Sequence, residues 1–254
     1  MLLVMPTLIE VPTTLVIDGD LVSRPYIDIT LNEMDKRGGQ AAWSDTQSIT
    51  VQPGAYRAGD VLVEGDATAA TYFTALATVH ASTVNLVNLG TATHQGDYGF
   101  CTIMQQLGAT LTQTPETTQL TGPTTLRTLP ELDMTAMPDA ALTLIAMAPL
   151  LSAPLTLTGL STLRHKECDR LACPAAEMHQ MGIKCEEGAD TITIFPADSQ
   201  AVRAHTLTTY HDHRMAMAFS VLGSKTGNLS VDDAAVVAKT YPHYWQDYAR
   251  LIAG

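Results

Sequence analysis

The chain has 254 residues, and its 26 acidic residues against 14 basic ones give a formal net charge of −12. This balance argues against nucleic acid as a partner, because no basic stripe is present to neutralise phosphates. The hydrophobic fraction of 46% is ample for a core, and no apolar run reaches membrane-spanning length. Four cysteines in a chain of this length do not form the pattern of a disulfide framework. We therefore expect a cytoplasmic protein that binds no metal, no cofactor, no membrane and no nucleic acid.

Three stretches of the chain open on an aspartate and run into a small, apolar sequence. Asp66, Asp139 and Asp212 begin these stretches, and they lie 73 residues apart each time. Aspartate is a good N-cap, and the alanine, leucine and methionine that follow have high helix propensity. Because the three helices predicted here are apolar nearly all round, we expect them to be buried.

A second pattern follows nearly the same period and predicts where other helices end. Each copy places a methionine four residues before a glycine, at Gly38, Gly108 and Gly182, as expected of a helix that ends on a glycine C-cap. Strands are predicted before these helices, at 14–17, 83–87 and 155–157, and after them, at 48–51, 117–120 and 191–194. The repeating unit is therefore strand, helix, two strands, helix.

This repeat predicts a mixed α/β (α+β) fold with helices inside and sheets outside. Buried helices combined with half-polar strands are the reverse of a doubly wound arrangement. The turn-rich segment 52–65 contains glycine and proline and is the predicted boundary between residues 1–64 and residues 65–254.

Two short segments of this acidic chain concentrate basic residues beside carboxylates. Residues 164–170 read Arg-His-Lys-Glu-Cys-Asp-Arg, and residues 210–214 read Tyr-His-Asp-His-Arg. If 165–176 is helical, Lys166, Glu167 and Arg170 share one face. Two cations beside a carboxylate can hold a phosphate or carboxylate and move a proton. The alternative from these residues alone is a solvated, salt-bridged helix face.

The chain resembles the enolpyruvyl transferases, and specifically the EPSP synthase family, through seven stretches in the family's order. These are Gly19 to Asp28, Val63 to Asp66, Gln95 to Asp97, Pro138 to Ala141, Arg164 to Leu171, His211 to Met217 and Lys239 to Pro242. The resemblance covers the C-terminal three-fifths of the family and implies an inverted barrel whose N-terminal half is missing. Residues 1–64 would be the last folding unit of the N-terminal-half domain, and residues 65–254 about three units of the C-terminal-half domain.

The resemblance implies transfer of the enolpyruvyl group of phosphoenolpyruvate to shikimate 3-phosphate, with release of phosphate. This 3-phosphoshikimate 1-carboxyvinyltransferase reaction belongs to the shikimate pathway of aromatic amino acid biosynthesis, a glyphosate target. Two alternatives stay open: a UDP-N-acetylglucosamine enolpyruvyl transferase, and a folded but inactive anion-binding fragment. The apolar start at 1–9 favours self-association, and the missing loops imply a need for the N-terminal half.

The resemblance also implies roles for individual residues. Asp139 would hold the reacting hydroxyl, Lys166 would touch both substrates, and Glu167 would carry the methylene proton once partial desolvation raises its pKa. The residues expected to bind shikimate 3-phosphate are Ser23, Tyr26, Asp139, Thr162 and Lys166. Those expected to bind phosphoenolpyruvate are Lys166, Arg170, His213, Arg214 and Lys239.

Overall fold

A computed structural model describes residues 1–19, 21 and 23–253 of the chain. Asp20 and Val22, which belong to the stretch that resembles the family at 19–28, lie outside the described residues. The chain divides into two compact units, one of residues 1–64 with 94–96, the other of residues 65–93 with 97–254. No helix in the described ranges is both long enough and apolar enough to cross a membrane.

The first unit contains one helix and one sheet. After a 3-10 helix at Leu2–Thr7, its elements are β1 (Thr13–Val16), α1 (Arg24–Lys36), β2 (Ala41–Trp43) and β3 (Ser48–Val51). The strands form an antiparallel sheet in the order β1–β3–β2, so the last strand lies between the other two. Met5, Met34, Ile49 and Val51 form its small core. The apolar residues Leu3, Val4 and Leu8 are exposed.

The second unit holds the remaining elements. Its helices are α2 (Ala67–Val79), α3 (Phe100–Gln106), α4 (Ala141–Met147), α5 (Ala172–Gln180), α6 (His213–Thr226) and α7 (Tyr244–Ala253). Its strands are β4 (Thr83–Val87), β5 (Thr110–Gln113), β6 (Thr117–Thr121), β7 (Glu131–Asp133), β8 (Leu155–Thr158), β9 (Cys185–Glu187), β10 (Ile192–Ile194), β11 (His205–Leu207) and β12 (Leu229–Val231). Further 3-10 helices cover Gly96–Gly99, Pro138–Ala140, Ala148–Leu150, Ser161–His165 and Ala234–Lys239.

The strand order of the first unit recurs twice in the second, which confirms the predicted repeat. Strands β4–β6–β5 and β8–β10–β9 form antiparallel sheets with the third strand between the other two. Strand β7 adds to the edge of β8 in parallel, and β11 pairs with β12 in the same parallel way. The observed strands β3 and β4 have the bounds that the sequence predicts, 48–51 and 83–87.

Helices α2, α4 and α6 pack on one another in the interior of the second unit. Every residue of α4 is buried, and all three helices contribute apolar side chains to one core. Buried hydroxyls also join these helices, as where Thr71 of α2 and Thr143 of α4 share a 2.8 Å hydrogen bond. The strands β6 and β8 bury alternate residues only. The predicted arrangement of helices inside and sheets outside is therefore confirmed.

The three glycines predicted to end helices do so with one shared geometry. Gly38, Gly108 and Gly182 have φ angles of 81°, 113° and 81°, in the left-handed region that favours glycine. In each case the next amide donates to the methionine carbonyl five residues earlier, as in Gly39 to Met34, Ala109 to Met104 and Ile183 to Met178. This pair of features is the Schellman motif, so the methionine-to-glycine spacing is a true helix-stop signal.

Candidate active site

The segment that carries Lys166, Glu167 and Arg170 is not helical, so the condition of a helix over 165–176 holds only from Ala172 onwards. The preceding 3-10 helix ends at His165, Lys166 is extended, and α5 begins only at Ala172. Asp169 explains the late start, because its Oδ1 accepts hydrogen bonds from the amides of Leu171 and Ala172, both at 3.0 Å. This carboxylate caps the helix and leaves residues 166–170 as a loop.

Arg164 fixes the loop 166–170 from its other end. Its Nη1 binds Asp169 at 3.0 Å and also pairs with Glu187. Its Nε and Nη2 donate to the carbonyls of Ala189 and Gly188, in the turn between β9 and β10. Arg164 is therefore a structural clamp, and the chemistry of the loop is left to the side chains between it and α5.

The guanidinium of Arg170 is the centre of the charge cluster. Its side chain is 1% exposed and binds three carboxylates. Asp212 accepts from Nε at 2.7 Å and from Nη2 at 3.1 Å, Asp139 accepts from Nη1 at 3.0 Å, and Glu167 accepts from Nη2 at 2.7 Å. Four such bonds use most of the five N–H donors of a guanidinium. The loop 166–170, the start of α4 and the start of α6 are thus joined at one side chain.

Asp139 lies inside a short 3-10 helix and faces three cations, so its predicted role as a plain N-cap is wrong. Helix α4 starts at Ala141 without a side-chain cap. The Asp139 carboxylate is 3.1 Å from Lys166 Nζ, 3.0 Å from Arg170 Nη1 and 3.5 Å from Arg214 Nη2. Although burial opposes it, the positive charge of these three residues holds the pKa of Asp139 below its usual value. The carboxylate is therefore ionised and can accept a hydrogen bond, and its lowered pKa makes it a weaker base than a free aspartate.

Glu167 is held by two cations, which is the opposite of the desolvated acid expected from the resemblance. Its Oε2 accepts from Arg170, and its Oε1 pairs with Lys239. Burial alone would raise the pKa of Glu167, but the Lys239 hydrogen bond, a backbone hydrogen bond and the charge of Arg170 together lower it to about 2. The raised pKa that an acid role needs is therefore absent while Lys239 and Arg170 hold the carboxylate, and the role of Glu167 as an acid stays a prediction.

The start of α6 brings Asp212, His213 and Arg214 into the cluster. Asp212 is fully buried and caps the helix by accepting from the amide of Arg214 at 2.9 Å. His213 is 2% exposed, and neither ring nitrogen has a hydrogen-bond partner among the described residues. Burial and then the nearby charge of Arg214 lower the pKa of His213, so the ring is neutral. Arg214 points its guanidinium at Asp139 and at the hydroxyl of Tyr72, 3.3 Å from Nη1.

Three of the predicted site residues are not part of this cluster. Ser23 and Tyr26 belong to the first unit, where Ser23 precedes α1 with a left-handed φ of 56° and Tyr26 is half-exposed in the first turn. Thr162 lies in the 3-10 helix before Arg164, and its buried Oγ1 has no hydrogen-bond partner in the part of the chain that the structure describes. Their contact with a substrate stays a prediction.

Two residues take part in the cluster although no such role was predicted for them. Asp212 was expected to act as a helix cap, yet it also binds Arg170 through both oxygens. Tyr72 sits in the apolar helix α2, and burial, opposed by Arg214, raises the pKa of its hydroxyl to about 12. Only the spacing of two residues between Asp212 and Arg214 could have indicated that Asp212 belongs to the cluster. No sequence signal indicates that Tyr72 does.

The described residues contain no group of three or more histidine, cysteine, aspartate and glutamate side chains that could hold a metal ion. Cys168 donates to Asp212 at 3.4 Å, and burial raises the pKa of this thiol and of Cys173. Both thiols are therefore protonated and weakly nucleophilic. The chemistry that this cluster can perform is binding of anions and transfer of protons.

Comparison with known proteins gives a consistent result along the whole chain. A curated 3-phosphoshikimate 1-carboxyvinyltransferase from Yersinia pestis is 37% identical over 252 residues, which are 98% of this chain and 58% of the relative. A second enzyme of that name from Halalkalibacterium halodurans is 35% identical over 238 residues, 93% of this chain and 53% of the relative. The chain therefore spans little more than half the length of these relatives.

The fold is also that of solved enolpyruvyl transferases. The EPSP synthase from Acinetobacter baumannii superposes with a TM-score of 0.75 at 23% identity, over 95% of this chain and 57% of that one. The enolpyruvyl transferase NikO from Streptomyces tendae gives 0.70 at 14% identity, over 98% of this chain and 57% of that one. The family model for EPSP synthase (3-phosphoshikimate 1-carboxyvinyltransferase) matches residues 1–248. The chain therefore belongs to the EPSP synthase family.

Proposed function

We propose that the chain provides the phosphoenolpyruvate side of a 3-phosphoshikimate 1-carboxyvinyltransferase site. The observation that carries the proposal is the convergence of four cations, from three separate segments, on the carboxylates of Asp139 and Glu167. Such a cluster suits a substrate that carries both a phosphate and a planar carboxylate, because guanidinium groups bind these oxygens in pairs. Membership of the family supplies the reaction class.

The exposed cations of the cluster are the ones we expect to contact phosphoenolpyruvate directly. Lys166 and Lys239 have exposed fractions of 29% and 55%, and Arg214 is 15% exposed, whereas Arg170 is 1% exposed. The carboxylates of Asp139 and Glu167 pair with these cations in the structure. A bound anion would therefore replace a carboxylate as the acceptor of some of these hydrogen bonds. Arg170 then acts mainly as the framework that keeps Asp139, Glu167 and their neighbours in place.

This exchange of partners gives Glu167 a route to act as an acid. Lys239 and Arg170 hold its pKa near 2 against the opposing effect of burial. When phosphoenolpyruvate draws Lys239 away, burial is less opposed and the pKa of Glu167 rises towards the working pH. Glu167 then protonates the methylene carbon, while Asp139 accepts the proton of the shikimate 3-phosphate hydroxyl and the oxygen of that hydroxyl adds to the enol carbon. The Glu167 carboxylate then removes a proton from the new methyl group as phosphate leaves, which restores the double bond.

The proposal assigns this activity to the chain together with a matching N-terminal half. Because the chain covers 53% and 58% of two curated relatives, we propose residues 1–64 as the last folding unit of the N-terminal-half domain. Residues 65–254 would be about three units of the C-terminal-half domain. Ser23, Tyr26 and Thr162 would then contribute to the shikimate 3-phosphate side. Both substrates are multiply charged and do not cross membranes unaided, so we place the reaction in the cytoplasm.

Two measurements test the proposal. Calorimetry with phosphoenolpyruvate measures binding by the chain alone. Release of phosphate from phosphoenolpyruvate in the presence of shikimate 3-phosphate measures turnover, with the N-terminal half of the Yersinia pestis relative added. Lys239→Gln is expected to weaken binding about tenfold, because one charged hydrogen bond is lost. Lys184→Gln is the matched control, since Lys184 is 63% exposed and pairs only with Glu186 in the described structure.

Each outcome of these measurements decides a specific point. Turnover that needs the added half and is abolished by Glu167→Gln supports the proposed function. Binding of phosphoenolpyruvate without turnover in either arrangement supports an anion-binding fragment instead. Equal effects of Lys239→Gln and Lys184→Gln would contradict the location of the site.

A further inference from the structure

The buried carboxylate of Glu177 lies outside the charge cluster and has no part in the chemistry described above. It sits on α5, and its side chain is 0% exposed. Its Oε2 accepts from His205 Nε2 at 2.6 Å and from the amide of Thr208 at 3.1 Å, and its Oε1 accepts from the hydroxyl of Tyr210 at 2.8 Å. Three donors on one buried carboxylate satisfy it fully. Two of these donors belong to the turn 208–212, which leads directly into the site.

The turn 208–212 has a backbone conformation that needs external support. Tyr210 and His211 have φ angles of 53° and 57°, so two consecutive residues with bulky side chains are left-handed. Such conformations persist only where surrounding contacts over-determine them, because the side chain crowds the backbone. The turn is closed by the Asp212 amide, which donates to Thr209 O at 2.8 Å. The next residues are those that bind Arg170 and present Arg214.

We propose that Glu177 is a positioning residue of the anion site. By fixing the amide of Thr208 and the hydroxyl of Tyr210, its carboxylate holds the left-handed turn and so sets where Asp212 and Arg214 point. This inference rests on the proposed function for its consequence, since the site it orders is the proposed phosphoenolpyruvate site. The hydrogen bonds that carry it do not depend on that function.

Helix α5 gives this role a mechanical basis. Asp169 caps its first turn and closes the loop 166–170, while Glu177 extends from its interior to the turn 208–212. One helix thus sets the separation of the two segments that meet at Arg170. A carboxylate is suited to the position because both of its oxygens accept, whereas a glutamine would place an amide N–H₂ group against at least one donor.

The test compares Glu177→Gln and Tyr210→Phe with the wild-type chain. We expect each variant to bind phosphoenolpyruvate about tenfold more weakly, which corresponds to a loss of about 1.4 kcal/mol in the free energy of binding. Hydrogen exchange of the amides at 208–214 should accelerate in both, while exchange in β4 and β6 stays unchanged. Ser220→Ala in α6 is the matched control, because it removes a buried hydroxyl bond to Tyr244 of α7 without touching the turn.

A rescue experiment separates positioning from a general loss of structure. Glycine adopts a left-handed φ without steric cost, so His211→Gly should make the turn less dependent on its support. In the Glu177→Gln background we therefore expect His211→Gly to recover part of the lost affinity and to slow exchange at 208–214. No rescue, or exchange that accelerates evenly across the second unit, would overturn the proposal. So would unchanged exchange in Tyr210→Phe, which decides the case if Glu177→Gln fails to fold.

The two arms also distinguish this inference from the proposed function. If the wild-type chain neither binds phosphoenolpyruvate alone nor turns it over with the added N-terminal half, the proposed function fails, and the exchange arm alone decides whether Glu177 holds the turn. If the wild-type chain binds and neither variant alters affinity, the proposed function stands and the positioning role is refuted.

Discussion

Replacing Arg170 by methionine should destabilise the second unit by about 3–5 kcal/mol, the usual cost of leaving one buried charge unpaired. The structure explains why the cost is that of one charge and not three. Without Arg170, Asp139 keeps Lys166 and Arg214, and Glu167 keeps Lys239. Asp212, which is 0% exposed, loses both bonds from its guanidinium partner. Asp212→Asn in the Arg170→Met background should therefore recover part of the loss.

Urea unfolding followed by tryptophan fluorescence measures this effect. The chain has two tryptophans, Trp43 in the first unit and Trp245 in the second. In a Trp43→Phe background the signal reports the second unit alone, which avoids treating two units as one transition. The free energy of unfolding is then compared among wild type, Arg170→Met, Asp212→Asn and the double variant.

Two results would refute the reasoning about Arg170. A loss below about 1 kcal/mol in Arg170→Met would mean that the buried Asp212 carboxylate finds another cation or water. A double variant whose loss equals the sum of the single losses would mean that the two residues act independently. Either result would remove Arg170 from the centre of the cluster.

Three further predictions concern pH, helix capping and close packing. The pKa of Glu167 is lowered from 4.5 to about 2, so the ionised Glu167 side chain stabilises the fold above pH 4.5 and this stabilisation is lost as pH falls towards 2. In Glu167→Gln the midpoint of urea unfolding should therefore depend less on pH over that range. Asp66→Ala should cost about 1 kcal/mol in unfolding free energy, with Asp66→Asn nearly neutral. Gly122→Ala should cost several kcal/mol, because its Cβ would lie 2.1 Å from the carbonyl oxygen of Ala77, whereas Gly54→Ala meets nothing within 4 Å. Equal melting temperatures of the two glycine variants would contradict the last prediction.

The features that could be predicted from the sequence are those that local chemistry decides. A glycine four residues after a methionine ends a helix because only a left-handed residue closes the Schellman motif, as at Gly108. Alternation of small polar and apolar residues predicts the strands β4 and β6, because one face of each strand packs inwards: that face is half-buried in β4 and buried in β6. These signals repeat along the chain, so the helices-inside arrangement followed from their period.

The loop at 166–170 shows where such reasoning fails. Residues 165–176 have charges at helical spacing, which favours a helix there. Pro174 is the one local signal against it, because proline is disfavoured in a helix interior but is tolerated in the first turn of α5, where it lies. The competing demand is tertiary, since Arg170 must reach Asp139 and Asp212 from a loop, and Asp169 is then free to cap α5. Nothing in the local sequence states that Arg170 will be 1% exposed.

The three aspartates at equal spacing show how a repeat can locate a site without revealing its chemistry. Asp66 caps α2 by accepting from the amides of Thr68 and Ala69. Asp212 caps α6 and also binds Arg170. Asp139 does not cap α4 and instead faces three cations. A carboxylate at a helix start already lies beside a field that favours negative charge. The same aspartate position can therefore serve as a helix cap or as part of a binding site, depending on whether cations face it. At Asp139 two of these cations, Lys166 and Arg170, come from the loop 166–170, which the repeat does not predict.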